Sequence, residues 1–288
     1  LPQERAMSDV RTLPYLLLAP AAIFLIAFFL VPFGQVAVEA FTQYGQLSTG
    51  NFQSIMRDWK FWPAMRNTVL LTVIIVPLQI ALALAMANLV MNLKKGRDIA
   101  LYIFTIPLGI SDLAAGLIWL AILEQNGFFN SFLHGLGLIG GPQLLLGYQN
   151  IVLLFAAIVL AELWRATAVV LVILVAGMSL IPREYYEAAE VFGAGPWKRF
   201  VKITLPLLRP SLQTALILRT ILAFEVFAIV LVLAGTNLPV LMGETYSWQF
   251  ALQDRGGASA YAMVILAISI VLTGFFLWSL GEKKETAP

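Results

Sequence analysis

The sequence predicts an all-α membrane protein with six transmembrane helices, and three observations carry that prediction. Apolar runs of about twenty residues, the length that crosses a bilayer, recur along the chain. Of its 288 residues 60% are hydrophobic and only 12% charged, with a mean hydropathy of +0.87. A soluble domain carries about twice that charged fraction. Lysine and arginine also fall unevenly on the two sides that the runs define. Twelve lie in the N-terminus, the 92–98 turn, the 178–210 loop and the tail, against Arg57, Lys60, Arg66 and Arg255 in the three opposite loops. The positive-inside rule then puts both termini in the cytoplasm. A transmembrane β-barrel would show short alternating segments instead, and none is visible. With no cysteine, disulfides, thiol catalysis and Cys-based metal sites are excluded.

Residues 1–13 are polar and read as a cytoplasmic segment. The run from Tyr15 to Ala40 is too long for a secretion signal and lacks a convincing cleavage site, so it reads as a retained first span, interrupted by Pro20 and Pro32. Residues 41–66 form a mixed loop in which Trp59, Phe61 and Trp62 suit an interfacial position. The second span covers about 67–91 and the third about 99–123, with a kink at Pro107 and Gly109. A Gly-rich polar loop follows. The fourth span covers about 151–178, the fifth about 211–235 and the sixth about 259–280, and 281–288 form a polar cytoplasmic tail. No repeat or linker divides the chain, so 14–280 reads as one transmembrane domain.

One cytoplasmic interval breaks the apolar pattern: 181–210, IPREYYEAAEVFGAGPWKRFVKITLPLLRP. Pro182 fits the first turn of a short helix that puts Tyr185, Ala188, Ala189 and Phe192 on one face, and Gly193 stops it. Pro196 starts a second helix, with Trp197, Phe200, Val201 and Thr204 opposite Lys198, Arg199 and Lys202. Pro206 and Pro210 then break the chain. Two readings of this interval stand side by side. One is a basic amphipathic loop lying on lipid. The other is a docking knob, because Ala188 and Ala189 beside Gly193 let a second protein approach the backbone closely.

Glu187-Ala188-Ala189, then Gly193-Ala194, and later Phe200, Ile203, Leu205 and Pro206 resemble the EAA signature of permease subunits of ATP-binding-cassette importers. The likeness extends over most of the chain: Ile106-Pro107 with Trp119, Gly127, Asn130 and Leu133; Trp164-Arg165 before Ala176-Gly177 and Ile181-Pro182; and Tyr261-Ala262 after Gly257-Ala258-Ser259-Ala260. The group it is most similar to is that of the maltose and glycerol-3-phosphate importer permeases. The resemblance implies a type I importer fold with a coupling helix between the fourth and fifth spans. Of that helix, Glu187 would make the polar contact to a cytoplasmic ATPase dimer, Ala188 and Ala189 the close-packed face and Gly193 the turn, with Tyr185 and Phe192 beside them. It further implies a second, different permease chain, an extracytoplasmic solute-binding protein, and a multi-pass place in the bacterial inner membrane. ATP and Mg would be bound by the ATPase, with no cofactor in this chain. Two departures lie near the expected pathway: Phe227-Ala228 where the family has Phe-Asp, and Ala234-Gly235-Thr236-Asn237 with Pro239 where it has Thr-Gly-Gly-Pro.

The residues themselves offer no catalytic set. No GxxxxGK[ST] loop is present, so energy for uphill transport has to come from a partner. The one histidine, His134, has no metal-ligand neighbours, and nothing points to nucleic acid. Charges at membrane depth are costly and face the bundle interior. Glu162 and Arg165 lie three apart and pair on one helix face. Arg219 and Glu225 are six apart, and each needs another partner or a wet cavity. Asp112 stands by the kink, where it can also cap a broken helix. Packing and pathway roles stay open for all of them. Sugars bind through a few hydrogen-bonding groups and aromatic faces, and Phe224, Glu225, Phe227, Asn237, Tyr246 and Trp248 are candidates.

The expected function is a permease subunit that imports a mono- to oligosaccharide by alternating access, coupled through the 183–193 helix. The alternatives are the same machine carrying glycerol-3-phosphate, a phosphodiester or a polyamine, and an ion-coupled secondary transporter in which Glu162, Glu225 and Asp112 carry protons.

Overall fold

The computed structural model describes residues 15–280. The cytoplasmic segment 1–13 and tail 281–288 expected above lie outside the described residues. In chain order the elements are α1 (Tyr15–Ala40), a two-stranded hairpin of β1 (Thr42–Gln43) and β2 (Gln46–Leu47), α2 (Gly50–Arg57), α3 (Phe61–Asn92), α4 (Arg97–Thr105), α5 (Asp112–Leu123), α6 (Phe128–Gly135), α7 (Ile151–Ser179), α8 (Arg183–Val191), α9 (Pro196–Leu207), α10 (Arg209–Phe224), α11 (Ala228–Ala234), α12 (Leu241–Tyr246) and α13 (Arg255–Leu280). They fall into two compact units. One holds the described residues up to Asp58 with Thr245–Met263; the other holds Trp59–Glu244 with the residues from Val264 on.

In the smaller unit α1 runs unbroken through both prolines. The turn over Ile26–Leu30 widens to a π-turn ahead of Pro32, which relieves the clash of the ring with the preceding carbonyl. None of the most apolar stretch of α1 is buried, as a lipid-facing helix requires. The loop after it is more ordered than expected. Asn51, at the start of α2, donates its amide to the carbonyls of Glu39, Ala40 and Thr42 at 3.0–3.2 Å and so closes the C-terminus of α1. Gly256 packs against Asn51, and the Ser259 hydroxyl donates to Glu39 Oε2 at 3.2 Å.

In the larger unit α3 begins at Phe61 rather than 67, with Pro63 in its first turn, where the missing N–H costs nothing. Helix α7 is central: 61% of its apolar window is buried, against 33% for α3. One core cluster gathers Leu71, Ile75, Ala115, Leu154, Ile158 and Ile229. A second gathers Ala83, Ala87, Leu171, Leu174, Leu208 and Ala215. Small residues at the contacts let helices approach where lipid offers no hydrophobic drive. Gly116 of α5 lies on Ile229 and Val232, and Gly177 of α7 faces Ser211 and Leu208.

Among the described residues four helices, Tyr15–Ala40, Phe61–Asn92, Tyr148–Ser179 and Arg255–Ser279, are long and apolar enough to cross a membrane singly. Counting two bent pairs raises the number to six. The expected third span is such a pair. A tight turn over Ile106–Gly109 leads into a 98° bend before Asp112, far more than a proline kink. The expected fifth span is broken too: α10 stops at Phe224, and Glu225–Phe227 leave the helix before α11. Irregular backbone at this depth must find partners within the protein. Asn67 Nδ2 donates to the Pro239 carbonyl at 2.9 Å, and Leu241 N–H donates to Thr68 Oγ1 at 2.9 Å.

Candidate functional sites: an intramembrane ion network and an uncovered loop helix

The bend in the third span creates the first site. Ser111 caps α5 by accepting from Ala114 N–H at 3.2 Å, which frees the adjacent Asp112 side chain to reach across. Asp112 Oδ1 meets Arg165 Nη1 of α7 at 2.7 Å. Arg165 Nη2 lies 3.7 Å from Glu162 Oε2, one turn earlier on the same helix. The same Glu162 oxygen accepts from Arg219 Nη2 of α10 at 3.4 Å, and Arg219 Nε donates to Gln79 Oε1 of α3 at 2.7 Å. Gln79 completes the circuit by donating Nε2 to the Glu162 carbonyl at 2.9 Å. Two carboxylates and two guanidiniums thus form an electroneutral chain joining α3, α5, α7 and α10.

Exposure grades along this chain. Arg219 and Glu162 are each 1% exposed and Arg165 18%, while the Asp112 side chain is 46% exposed. A buried ion pair survives in low dielectric only when both charges are matched, as they are at the inner end. The outer end is open. There Arg165 Nε and Trp119 Nε1 are buried with no partner among the described residues. Trp119 stands two turns beyond Asp112 on the same face of α5, and its ring meets Trp164 edge-on at 6.2 Å. A half-exposed carboxylate paired with a guanidinium, beside two indoles, is a set of groups that binds a polyhydroxylated or anionic solute.

The aromatic set expected from the sequence is divided between the two units. Phe224 is buried at 2% exposure and Trp248 at 8%, the latter packed beside Tyr261. Tyr246 is exposed and packs on Phe250; it and Trp248 belong to the smaller unit, whereas Phe224, Glu225, Phe227 and Asn237 belong to the larger. Glu225 and Asn237 are exposed, Glu225 at the break after α10. Gln79 and the Trp119–Trp164 pair were missed as site residues. The available signal for Gln79 was an amide set in an apolar run two residues after Pro77.

The second site is the 181–210 loop. Pro182 is extended (ψ 140°) and caps α8 from outside instead of sitting in its first turn. Gly193 has φ +70°, and the stop is a complete Schellman motif: Gly193 N–H donates to Glu190 O and Ala194 N–H to Ala189 O, both at 2.9 Å. No residue of α8 is buried. Its attachment runs through Tyr186, whose hydroxyl lies 3.1 Å from Thr204 Oγ1, and through an ion pair of Glu190 with Arg199. The attached face is therefore that of Tyr186 and Glu190, with half-buried Ala189 at its edge. Tyr185 (54% exposed), Glu187, Ala188 and Phe192 (87% exposed) point away from the bundle. In α9 the turn over Phe200–Thr204 is a π-turn that absorbs Pro206, and the chain bends 69° at Leu208, between the two prolines.

His134 lies on the surface with Nδ1 3.1 Å from the Ile139 carbonyl. Among the described residues no group of three or more His, Asp or Glu is placed to hold a metal ion. Gly127 and Asn130 have a structural role: a Cβ on Gly127 would press on the carbonyls of Ala121, Ile122 and Glu124, and Asn130 ties the loop to Glu124 and Gln143.

The model of the family of binding-protein-dependent transport system inner membrane components matches residues 79–279. The chain is 35% identical over 291 residues to the sulfoquinovosyl glycerol transport system permease protein SmoG of Agrobacterium fabrum, covering 95% of this chain and 92% of that one. It is 33% identical over 235 residues to the trehalose/maltose transport system permease protein MalF of Thermococcus litoralis, covering 79% and 77%. In fold it is similar to a chain from a bacterial ABC transporter involved in the import of the acidic polysaccharide alginate. The TM-score is 0.83 at 21% identity, over 98% of this chain and 100% of that one.

Proposed function

The chain belongs to the binding-protein-dependent transport system inner membrane components, and from that premise we propose that it supplies one half of a sugar pathway that opens by alternating access, driven through α8. As a family member it is a multi-pass permease subunit of an ABC importer in the bacterial inner membrane. It does not hydrolyse ATP itself, and its likeness to permeases named for sugar solutes supports a carbohydrate-type cargo.

The observation that carries the finer reading is α8. A short helix with no buried residue, held to the bundle on one side only and ended by a fixed Schellman stop, is built to transmit a push. Its free face bears Glu187, Ala188, Tyr185 and Phe192, which fit a cleft in a cytoplasmic ATPase. Closure of two such ATPases on ATP would displace α8, and α9 would carry the displacement through the bend at Leu208 into α10. That helix holds Arg219, and Arg219 belongs to the ion network. The network's exposed end, Asp112 and Arg165 beside Trp119 and Trp164, is the solute contact in this reading, with Glu225 at the break after α10 as a further lining group. An extracytoplasmic binding protein delivers the mono- to oligosaccharide, and a second, different permease chain closes the other half of the pathway.

A second reading within the same importer class, glycerol-3-phosphate or a phosphodiester as solute, is favoured by the unpartnered Nε of Arg165. Reconstituting the chain with its ATPase, partner permease and binding protein in proteoliposomes separates the two. ATP-dependent uptake of labelled sugars supports the first, and uptake of labelled phosphate esters alone supports the second. Uptake that needs a proton gradient and no ATP overturns both in favour of an ion-coupled transporter.

A further inference from the structure

At the base of the larger unit, between the end of α3, the end of α7 and the α8–α9 loop, lies a cavity of about 580 Å³ that the transport reading does not use. That volume is typical of small-molecule sites, which span roughly 300–1,000 Å³. Three guanidiniums line it, those of Arg97, Arg183 and Arg199, and no carboxylate-bearing residue does. Arg199 is matched by Glu190. Arg97 has no carboxylate partner among the described residues. Its Nη2 rests 3.1 Å from Met91 Sδ and 3.2 Å from Ser179 Oγ, both neutral and the first a weak acceptor, and its Nε is buried with no partner among the described residues. A half-buried cation that has only such acceptors lacks an anion. The guanidinium fork and the further hydroxyls of Tyr186 and Thr204 on the cavity wall suit the several oxygens of a phosphate.

We propose that this cavity binds the phosphate group of an anionic phospholipid or of a soluble phosphate compound, and that the occupant ties α8 to the ends of α3 and α7. Basic pockets between helices at the cytoplasmic membrane surface are places where anionic headgroups collect. The assignment of a cytoplasmic side, and the consequence for coupling, rest on the reading of α8 as the coupling helix; the binding itself does not.

The test uses the assembled transporter without ATP in three nanodiscs: phosphatidylglycerol, phosphatidylcholine, and phosphatidylcholine with millimolar inorganic phosphate. Native mass spectrometry reads the retained phosphorus-bearing adducts, and hydrogen exchange reads the amides of 183–191. Retention in phosphatidylglycerol identifies the lipid source, and retention only with added inorganic phosphate identifies the soluble one. Either result supports the proposal provided that Arg97→Gln lowers retention about tenfold, the loss expected for removing charge-assisted hydrogen bonds. Arg97→Lys should restore part of it, and exchange over 183–191 should quicken when the adduct is lost. No adduct in any disc, equal retention by Arg97→Gln, or an acidic segment of the ATPase crosslinked into the cavity overturns it. Failure of the coupling reading would show separately, as ATP-driven uptake that ignores α8 variants while the adduct is still retained.

Discussion

Arg219 and Glu162, 57 residues apart in sequence, meet with Nη2 3.4 Å from Oε2 while each side chain is 1% exposed. The pair holds α10 against α7 in surroundings where neither ion could stand alone. Replacing one partner leaves an unmatched buried charge, which costs about 3–5 kcal/mol, whereas replacing both with apolar residues of similar size is close to neutral. Glu162→Leu should therefore destabilise strongly, and Glu162→Leu with Arg219→Met should recover most of the loss. Thermal unfolding in detergent, compared across the two singles and the double, measures the coupling. Additive losses would remove the pair from the account of stability.

Asp112 ends the same network and should behave in the opposite way. Its side chain is 46% exposed, and an exposed ion pair contributes about 0–1 kcal/mol. Asp112→Asn should leave the unfolding temperature nearly unchanged and raise the KM for uptake several-fold, since it strips the charge from the open end where the solute would bind. An unchanged KM would confine this cluster to a packing role.

Gly177 sets how closely α7 meets the start of α10. A Cβ there would overlap Ser211 and press on Leu208 at 2.9 Å, and both belong to the stretch that leads out of the loop. Overpacking of a tight contact costs about 1–3 kcal/mol. Gly177→Val should lower stability by that amount, and Gly177→Ala by less, because it adds one carbon instead of three, though Ser211 Cβ at 2.7 Å must still give way. Adding Ser211→Gly to Gly177→Ala should recover part of the loss, since it removes the Ser211 overlap but leaves the Leu208 contact and puts a glycine in α10.

Much of this was legible from local pattern. Apolar run length located the four unbroken helices, and Gly193 marked the stop of α8 because only a left-handed residue closes that motif. The i,i+3 spacing of Glu162 and Arg165 foretold their contact. What stayed hidden depended on distance along the chain. Nothing local pairs Arg219 with Gln79, 140 residues away. The break after Phe224 has no proline or glycine to announce it. The irregular stretch after α11 is held by Asn67 and Thr68, through Pro239 and Leu241, and both read as ordinary polar residues at a span's edge. Helical spacing puts Tyr185, Ala188, Ala189 and Phe192 on one face of α8, whereas the attachment runs through Tyr186 and Glu190, with Ala189 half-buried between the two faces. Helical spacing gives a face and cannot say which face a neighbour will take.

Gly193 gives the sharpest test of coupling. Its φ of +70° costs a β-carbon-bearing residue about 1–2 kcal/mol, less for Asn or Asp, and open space surrounds the position, so no side chain there clashes within this chain. Any effect of a substitution must come through backbone strain or through what docks against the loop. Gly193→Asn keeps the left-handed turn at small cost and should retain most transport. Gly193→Asp has nearly the same shape but adds a charge next to exposed Phe192, and it should leave ATP hydrolysis running while uptake falls about tenfold or more, a loss of about 1.4 kcal/mol of coupling. Measuring hydrolysis and uptake on one proteoliposome preparation separates the two effects. If Asn and Asp behave alike, charge is irrelevant and the loop meets water; if only Asp uncouples, a protein surface lies against Gly193 during the cycle.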